Sequence, residues 1–503
     1  MILILDFGSQ LTHLVARKVR ELGVYAEIRL PTVSTEELKK ADAIILSGGP
    51  QSVLDETISY NPDILTLGKP LLGLCYGHQL VAHHLKGTVT PGKIREYGKA
   101  TLQVKDTGTL FKGLGEEEQV WMSHGDTVTG LPPGFVQLGS TEDCANAAIG
   151  NPQKNIYAVQ FHPEVYHTTH GKTILDNFLT LAGAARDWNP KDRVTELIAA
   201  LKKEIGEKAV IMGVSGGVDS LVASHLIRRT IGKRLYCVYV DSGLMRKNET
   251  RYVKELYSSF EHFIAADAAS LFLSRLKGLT DPEKKRKAIG RTFIEVFEAE
   301  MHKINDPAIA FLGQGTLYPD RIESAVTAHA STIKSHHSVG GLPENMKLAL
   351  VEPLKDFYKD EVREIGAALG LSYEALFRHP FPGPGLAVRI IGEVTPERLV
   401  TLREADHIFI TALRESNTYR EVWQALAALL PVKAVGVKGD ARSYEEMIAL
   451  RAVTSVDGMT ADWVRLPEEV LEKISTRILN TVPGVSRVLY DISQKPPATI
   501  EYE

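Results

Sequence analysis

The chain has 503 residues, 44% hydrophobic and 24% charged, with a formal net charge of −4. That length has room for about three domains, and the composition is globular. The small negative balance gives no footing for a polyanion such as bulk nucleic acid, and no apolar run approaches the roughly 20 residues of a membrane-spanning helix.

Three cysteines, at 75, 144 and 237, cannot form a disulfide framework and leave one thiol over. This points to a reducing, cytoplasmic compartment. The opening "MILILDFGSQ" lacks a basic n-region and reaches Asp6 after four apolar residues, so no signal peptide is expected.

"ILILDFGS" reads as a short strand ending in a Gly turn, and "QLTHLVARKVRELG" repeats apolar residues at helical spacing up to Gly23. "VYAEIRL", "ADAIILSGGP" and "KPLLGLCYG" are three further strands, and "HQLVAHHLKG" a helix. Apolar strands alternating with helices imply a parallel sheet covered on both faces, with ligands at the strand carboxyl ends. "RDWNPKDR" (186–193) reads as a linker. A second β-α-β start follows: helix "VTELIAALKKEIG", strand "AVIMGV", loop "SGGVDS", helix "LVASHLIRRTIG" and strand "RLYCVYVDSG". The charged run 281–291 is expected to be a solvated helix face. Pro-rich "RHPFPGPGLAVR" (378–389) cannot continue a helix and opens a third segment. A helix over 396–415, a strand "VKAVGVKGDAR" and a closing "RVLYDISQKPPATIEYE" complete the chain. The expected fold class is α/β: two doubly wound, mostly parallel-sheet domains and a smaller α+β C-terminal domain.

Cys75 lies in G-x-C-x-G between a predicted strand and helix, a nucleophile elbow with sulfur in place of oxygen. A thiol at a helix N-terminus is activated by backbone N–H groups and the helix dipole. Cys144 and Cys237 have no such frame and read as buried thiols. "NIYAVQFHPEVYH" (155–167) is a strand ending in His162-Pro163-Glu164. Pro163 favours an extended His162, and residues two apart on an extended chain share a face. His162 can then act as base, with Glu164 fixing its tautomer.

"DFGSQ", "ILSGGP", "GLCYGHQ" and "QFHPE" resemble, in order, the class I glutamine amidotransferase domain. The resemblance implies that Cys75 attacks the glutamine carboxamide and releases ammonia through a γ-glutamyl thioester. It assigns oxyanion and glutamine contacts to Gly48, Gly49, Tyr76 and Gln79, and the α-amino contact to Asp126 in "WMSHGDTV". His78 stands where a methionine is expected in most relatives, and it receives no role.

"SGGVDS" follows a strand and opens a helix, offering N–H groups and two hydroxyls to an anion. It lacks the G-K-[ST] ending of a Walker A loop. It resembles the pyrophosphate loop of N-type ATP pyrophosphatases, which implies ATP contacts from Ser215, Gly216, Gly217, Val218, Asp219, Ser220 and Val240. Asp219 is a candidate Mg²⁺ ligand, since hard carboxylate oxygens suit that ion.

"GQGTLYPDRIES", "IKSHHSVGGLP", "EPLKDFYKDEVR", "RHPFPGPGLAVR" and "KPPATIEYE" resemble the glutamine-hydrolysing GMP synthase family. This implies amination of XMP to GMP with ATP and glutamine, through an adenylated XMP. It implies a lid carrying Asp320, Glu323, Lys334, His336 and His337, a segment whose plain alternative is a solvated loop. It places Arg291, Arg487, Lys495, Thr499, Ile500 and Glu501 around XMP, and it implies a homodimer formed through the C-terminal domain. Pro496-Pro497 is expected to hold that tail extended. Expected domains are 1–186 (amidotransferase), 187–378 (ATP pyrophosphatase) and 379–503 (dimerisation and XMP binding). No nucleic-acid or membrane partner is expected.

Overall fold

A computed structural model of the chain describes every residue except 56–58, 328–347, 439–440, 456–457 and 459. It divides into two compact units, Met1–Asn189 and Pro190–Glu503, with the division inside the expected linker.

The first unit contains strands β1 (Ile2–Leu5), β2 (Ala26–Arg29), β3 (Ala43–Leu46), β4 (Leu71–Leu74), β5 (Thr88–Val104), β6 (Glu117–Gly130), β7 (Val136–Ser140), β8 (Ala148–Asn151) and β9 (Ile156–Val159). Its helices are α1 (Thr12–Glu21), α2 (Thr35–Lys40), α3 (Tyr76–His84) and α4 (Gly171–Leu181). One sheet runs β2-β1-β3-β4-β9-β8-β7-β5-β6. The half from β2 to β9 is parallel. Every residue of β1, β3, β4 and β9 is buried, as helices on both faces require. The other half is antiparallel. The start of β6 alternates exposed and buried residues, so one of its faces is solvated.

The second unit begins with α5 (Val194–Ile205), β10 (Ala209–Gly213), α6 (Val218–Ile231), β11 (Leu235–Asp241), α7 (Glu249–Leu256) and β12 (His262–Asp267). Next come α8 (Ala269–Leu276), α9 (Pro282–Ile304), β13 (Ile309–Gly313), α10 (Tyr318–Thr327), β14 (Ala349–Val351), α11 (Lys359–Ala368) and α12 (Tyr373–Leu376). The last part holds α13 (Pro396–Glu415), β15 (Gln424–Lys438), β16 (Ala441–Thr454), β17 (Asp462–Trp463), α14 (Glu468–Thr481) and β18 (Val485–Tyr490). An all-parallel sheet has the order β12-β11-β10-β13-β14. The chain winds outward from β10 in both directions, which makes the end of β10 the topological switch point where such sheets bind ligands. A smaller sheet carries β18 parallel to β16 and β15 antiparallel to it. One apolar core runs from Ile211 and Val238 through Leu386 and Phe409 to Ile448 and Ile478. The α/β class and its α+β ending are therefore as expected.

Four local expectations are corrected. Residues 432–442 are not one strand: they fall on two antiparallel strands, with Lys438 of β15 paired to Ala441 of β16. The strand before His162 ends at Val159. The charged run 281–291 is not wholly solvated. Lys285 is fully buried, donates to the Ile390 carbonyl at 2.8 Å and ion-pairs with Glu503. Pro496-Pro497 does not extend the tail, because Ala498 N donates back to Gln494 O at 3.0 Å and closes a turn.

Candidate active site

Cys75 occupies the single residue between β4 and α3, at φ 51° and ψ −101°. A positive φ on a non-glycine residue costs about 1–3 kcal/mol and persists only where the surroundings enforce it. Here Cys75 N donates to Val159 O at 2.9 Å and Gly77 N to Ser47 O at 3.1 Å. A Cβ on Gly73 would stand 2.5 Å from Gly77 O, and one on Gly77 would stand 2.6 Å from the Leu46 Cβ. Both glycines are required by this close approach. The thiol is 5% exposed and its Sγ donates to Ser123 O at 3.4 Å. Burial pushes the other two thiols up, Cys144 to about 11 and Cys237 to about 12.

His162 follows β9, its N–H held by Trp121 O at 3.0 Å. Its Nδ1 donates to Glu164 Oε1 at 2.7 Å, in a pair almost wholly removed from solvent. Burial alone would favour the neutral imidazole, but the Glu164 carboxylate and a hydrogen bond to Cys75 outweigh it and raise His162 well above its ordinary value. Cys75, His162 and Glu164 thus form the expected thiol–imidazole–carboxylate chain. Gly48 adjoins it: a Cβ there would lie 3.2 Å from His162 Cε1.

The residues assigned to glutamine converge on this centre. Ser47 Oγ donates to Gly48 O at 2.7 Å, fixing the Gly48-Gly49 loop. Tyr76 is the first residue of α3 and packs its ring 5.2 Å from Phe7. Gln79 Nε2 donates to Asp126 O at 2.9 Å, and the Asp126 carboxylate accepts from Ser52 Oγ. Gln160 was not anticipated. Its Oε1 lies 3.1 Å from His78 Nδ1, and its Nε2 points at Cys75 Sγ from 3.7 Å. Its signal in the sequence was its place two residues before His162 in "QFHPE". His78 is fully buried, and desolvation pushes it down to about 4 against weaker opposing contributions from the Gln160 hydrogen bond and the Asn146 carbonyl.

In the second unit, "SGGVDS" leaves β10 at the switch point and opens α6, with Gly217 as N-cap. Gly216 takes φ +75°. Ser215 and Ser220 are linked through their hydroxyls at 3.3 Å, and Gly217 N donates to Ser215 Oγ at 3.3 Å. Asp219 Oδ2 accepts from Lys359 Nζ at 3.2 Å, whereas its Oδ1 is buried without a hydrogen-bond partner. Val240 lies near the end of the adjacent β11. This is an anion cradle of backbone and hydroxyl donors, flanked by one carboxylate and one ammonium group.

The "Glutamine amidotransferase class-I" family matches residues 3–182, and the "GMP synthase C terminal domain" family matches 411–502. A GMP synthase [glutamine-hydrolyzing] of Christiangramia forsetii is 53% identical over 100% of this chain and 99% of its own length. The protein of the same name from Carboxydothermus hydrogenoformans gives the same figures. The chain belongs to the glutamine-hydrolysing GMP synthase family. A solved structure, that of a putative GMP synthase subunit from Thermoplasma acidophilum, is 35% identical over 36% of this chain and 93% of its own, with a TM-score of 0.34.

Of the remaining residues expected around substrate in a GMP synthase, those of the tail are held firmly. Arg389, fully buried, donates through Nε and Nη2 to both Glu501 carboxylate oxygens at 2.9 and 2.8 Å. Arg451 holds the carbonyls of Thr499 and Ile500, both at 3.1 Å. Ile500 packs with Leu426, Ala428, Val453 and Ala461. Lys495 Nζ donates to Gly458 O at 2.7 Å. Arg291 on α9 and Arg487 on β18 are exposed. Asp320 accepts from Leu317 N at 3.0 Å at the start of α10, the helix that also carries Glu323. Lys334, His336 and His337 lie outside the described residues. The sequence reading missed Arg389, Arg451 and Lys285. Their only signal is an unexpectedly buried charge, which a one-dimensional pattern does not show.

Proposed function

We propose that the chain is a glutamine-hydrolysing GMP synthase that aminates XMP to GMP with glutamine-derived ammonia, releasing AMP and pyrophosphate. The observation that carries this is the buried Cys75–His162–Glu164 chain in a protein whose whole length matches that family. Cys75 sulfur attacks the glutamine carboxamide carbon. The oxyanion is met by backbone donors of Gly48, Gly49 and Tyr76, beside Gln79, and Asp126 takes the α-amino group. His162 gives its proton to the departing ammonia, leaving a γ-glutamyl thioester. Water, deprotonated by His162, then releases glutamate and restores the thiol.

In the second unit, the XMP C2 oxygen attacks the ATP α-phosphorus and pyrophosphate leaves into the cradle of Ser215, Gly216, Gly217, Val218, Asp219 and Ser220, with Val240 at the nucleotide. Ammonia then adds at C2 and AMP departs with that oxygen. Mg²⁺ fits the site, since the partnerless Asp219 Oδ1 offers one hard donor and this ion takes its other ligands from water and phosphate. It would neutralise phosphate charge there.

The lid role of Asp320, Glu323, Lys334, His336 and His337 and the XMP role of Arg291, Arg487, Lys495, Thr499, Ile500 and Glu501 belong to the same proposal. So do the boundaries 1–186, 187–378 and 379–503 and a cytoplasmic location. A homodimer through the C-terminal part is supported by Val432, Val435, Val437 and Tyr444, each more than half exposed on the β15–β16 hairpin. The test is direct. The protein with XMP, ATP-Mg and either glutamine or ammonium should convert XMP to GMP with stoichiometric AMP. No GMP from either nitrogen source would overturn the proposal.

A further inference from the structure

Three side chains around Cys75, those of Gln79, Gln160 and His78, form a hydrogen-bond chain whose polarity is fixed from one end. The Asp126 backbone carbonyl can only accept, so the Gln79 atom 2.9 Å from it is the NH₂ group. That same NH₂ lies 3.2 Å from Gln160, so the Gln160 atom facing it is the oxygen. The Gln160 NH₂ therefore faces Cys75 Sγ at 3.7 Å. The Gln160 oxygen also lies 3.1 Å from His78 Nδ1, so Nδ1 must carry a proton. His78 Nε2 has no hydrogen-bond partner, which leaves the one proton of a neutral ring to Nδ1.

We propose that His78 is a positioning residue for glutamine hydrolysis: its Nδ1–H, together with Gln79, holds the Gln160 amide so that an N–H points at the Cys75 sulfur. The inference rests on Cys75 as the nucleophile. A flipped Gln160 would put a carbonyl oxygen against the sulfur, opposing negative charge where attack requires it. The effect falls on the rate of thiolate attack and not on substrate binding, because His78 is fully buried and its hydrogen bond toward Cys75 runs through Gln160.

His78→Met removes the donor, and His78→Asn restores one at the place of Nδ1. Expected for His78→Met is a three- to tenfold fall in kcat for glutamine hydrolysis with KM within twofold. The rate of Cys75 alkylation by iodoacetamide, corrected with Cys75→Ala, should fall in parallel. His78→Asn should recover both to within about twofold. Ammonium-driven GMP formation and the thermal midpoint report whether each variant is folded. An unchanged His78→Met, or a His78→Asn as slow as His78→Met, overturns the inference. Should the variants misfold, the ¹⁵N shifts of labelled histidine in the wild-type protein decide instead: Nδ1–H supports the assignment and Nε2–H overturns it. Glutamine hydrolysis surviving in Cys75→Ala would sink the assignment of the nucleophile, a separate outcome.

Discussion

The two candidate centres occupy equivalent places, each at the carboxyl end of a strand in a parallel sheet, yet they are built in opposite ways. Around Cys75 the groups are buried and mutually bonded: the backbone is strained, His162 is locked to Glu164, and Gln160 is fixed from two sides. Around Asp219 the loop is open, Ser215 is exposed, and the two serine hydroxyls bond each other. The difference follows from the chemistry. A nucleophile must be held in a reactive state before substrate arrives, whereas a pyrophosphate cradle gains its order from the charge it binds. On the proposed function, the first site is preassembled and the second is completed by its ligand.

The sharpest way to break that contrast is Cys75→Ala. Glutamine-driven GMP formation should fall by at least about 10⁴-fold, as for loss of a nucleophile that works as one unit with its base, while ammonium-driven formation persists. Joint loss would mean that the centres do not work separately. Next in size is Asp219→Asn, expected to lower GMP formation by about 10²–10³-fold with either nitrogen source, the range for loss of one transition-state electrostatic contact. Its glutamine hydrolysis, measured as glutamate without XMP, should remain. An added-magnesium titration that restored full rate would assign the loss to ion affinity alone.

The preassembled site was also the legible one. Cys75, His162 and Glu164 come from short motifs whose glycines and proline fix local geometry, so their grouping could be read from turn chemistry and from the motifs, though not from an extended strand through Glu164. The antiparallel half of the first sheet was less visible, because β5 to β8 are joined by no helical spacers and their pairing is a long-range matter. Lys285 was misread for a plain reason. Among the charges of 281–291, helical period shows which side chains share a face, but not which face another segment covers. Glu503, more than two hundred residues away, decides it. Gln160 went unassigned because its role depends on two partners from α3, His78 and Gln79.

Lys285 gives the third prediction. It and Glu503 are both buried, and Lys285 also supports the 378–389 segment through Ile390 O. Lys285→Met leaves the Glu503 carboxylate buried without its cation. That should cost about 3–5 kcal/mol of stability, seen as a lower urea midpoint for the second unit. The double variant Lys285→Met/Glu503→Gln should recover most of it. A single variant as stable as wild type would show that the tail is held without the Lys285–Glu503 pair.

The smallest effect concerns pH and tests how firmly the first centre is set. Burial disfavours a charged His162, but Glu164 and Cys75 reverse the balance and raise it well above 6.5. A group whose folded value is raised lends stability that is complete below its unfolded value and is lost as pH rises through the folded one. Wild-type stability of the first unit should therefore decline from about pH 6.5 upward, by no more than about 1.4 kcal/mol per pH unit, the limit for one proton. Glu164→Gln removes two of the four contributions that raise His162 and leaves those of Cys75 against desolvation, the largest single cause. The slope contributed by His162 should then vanish above pH 6.5, and the variant should instead lose stability on acidification, as a buried neutral histidine is forced to charge. Urea midpoints at a series of pH values read both slopes. Parallel profiles for the two proteins would mean that Glu164 orients His162 without setting its charge, and the centre would then be preassembled in geometry only.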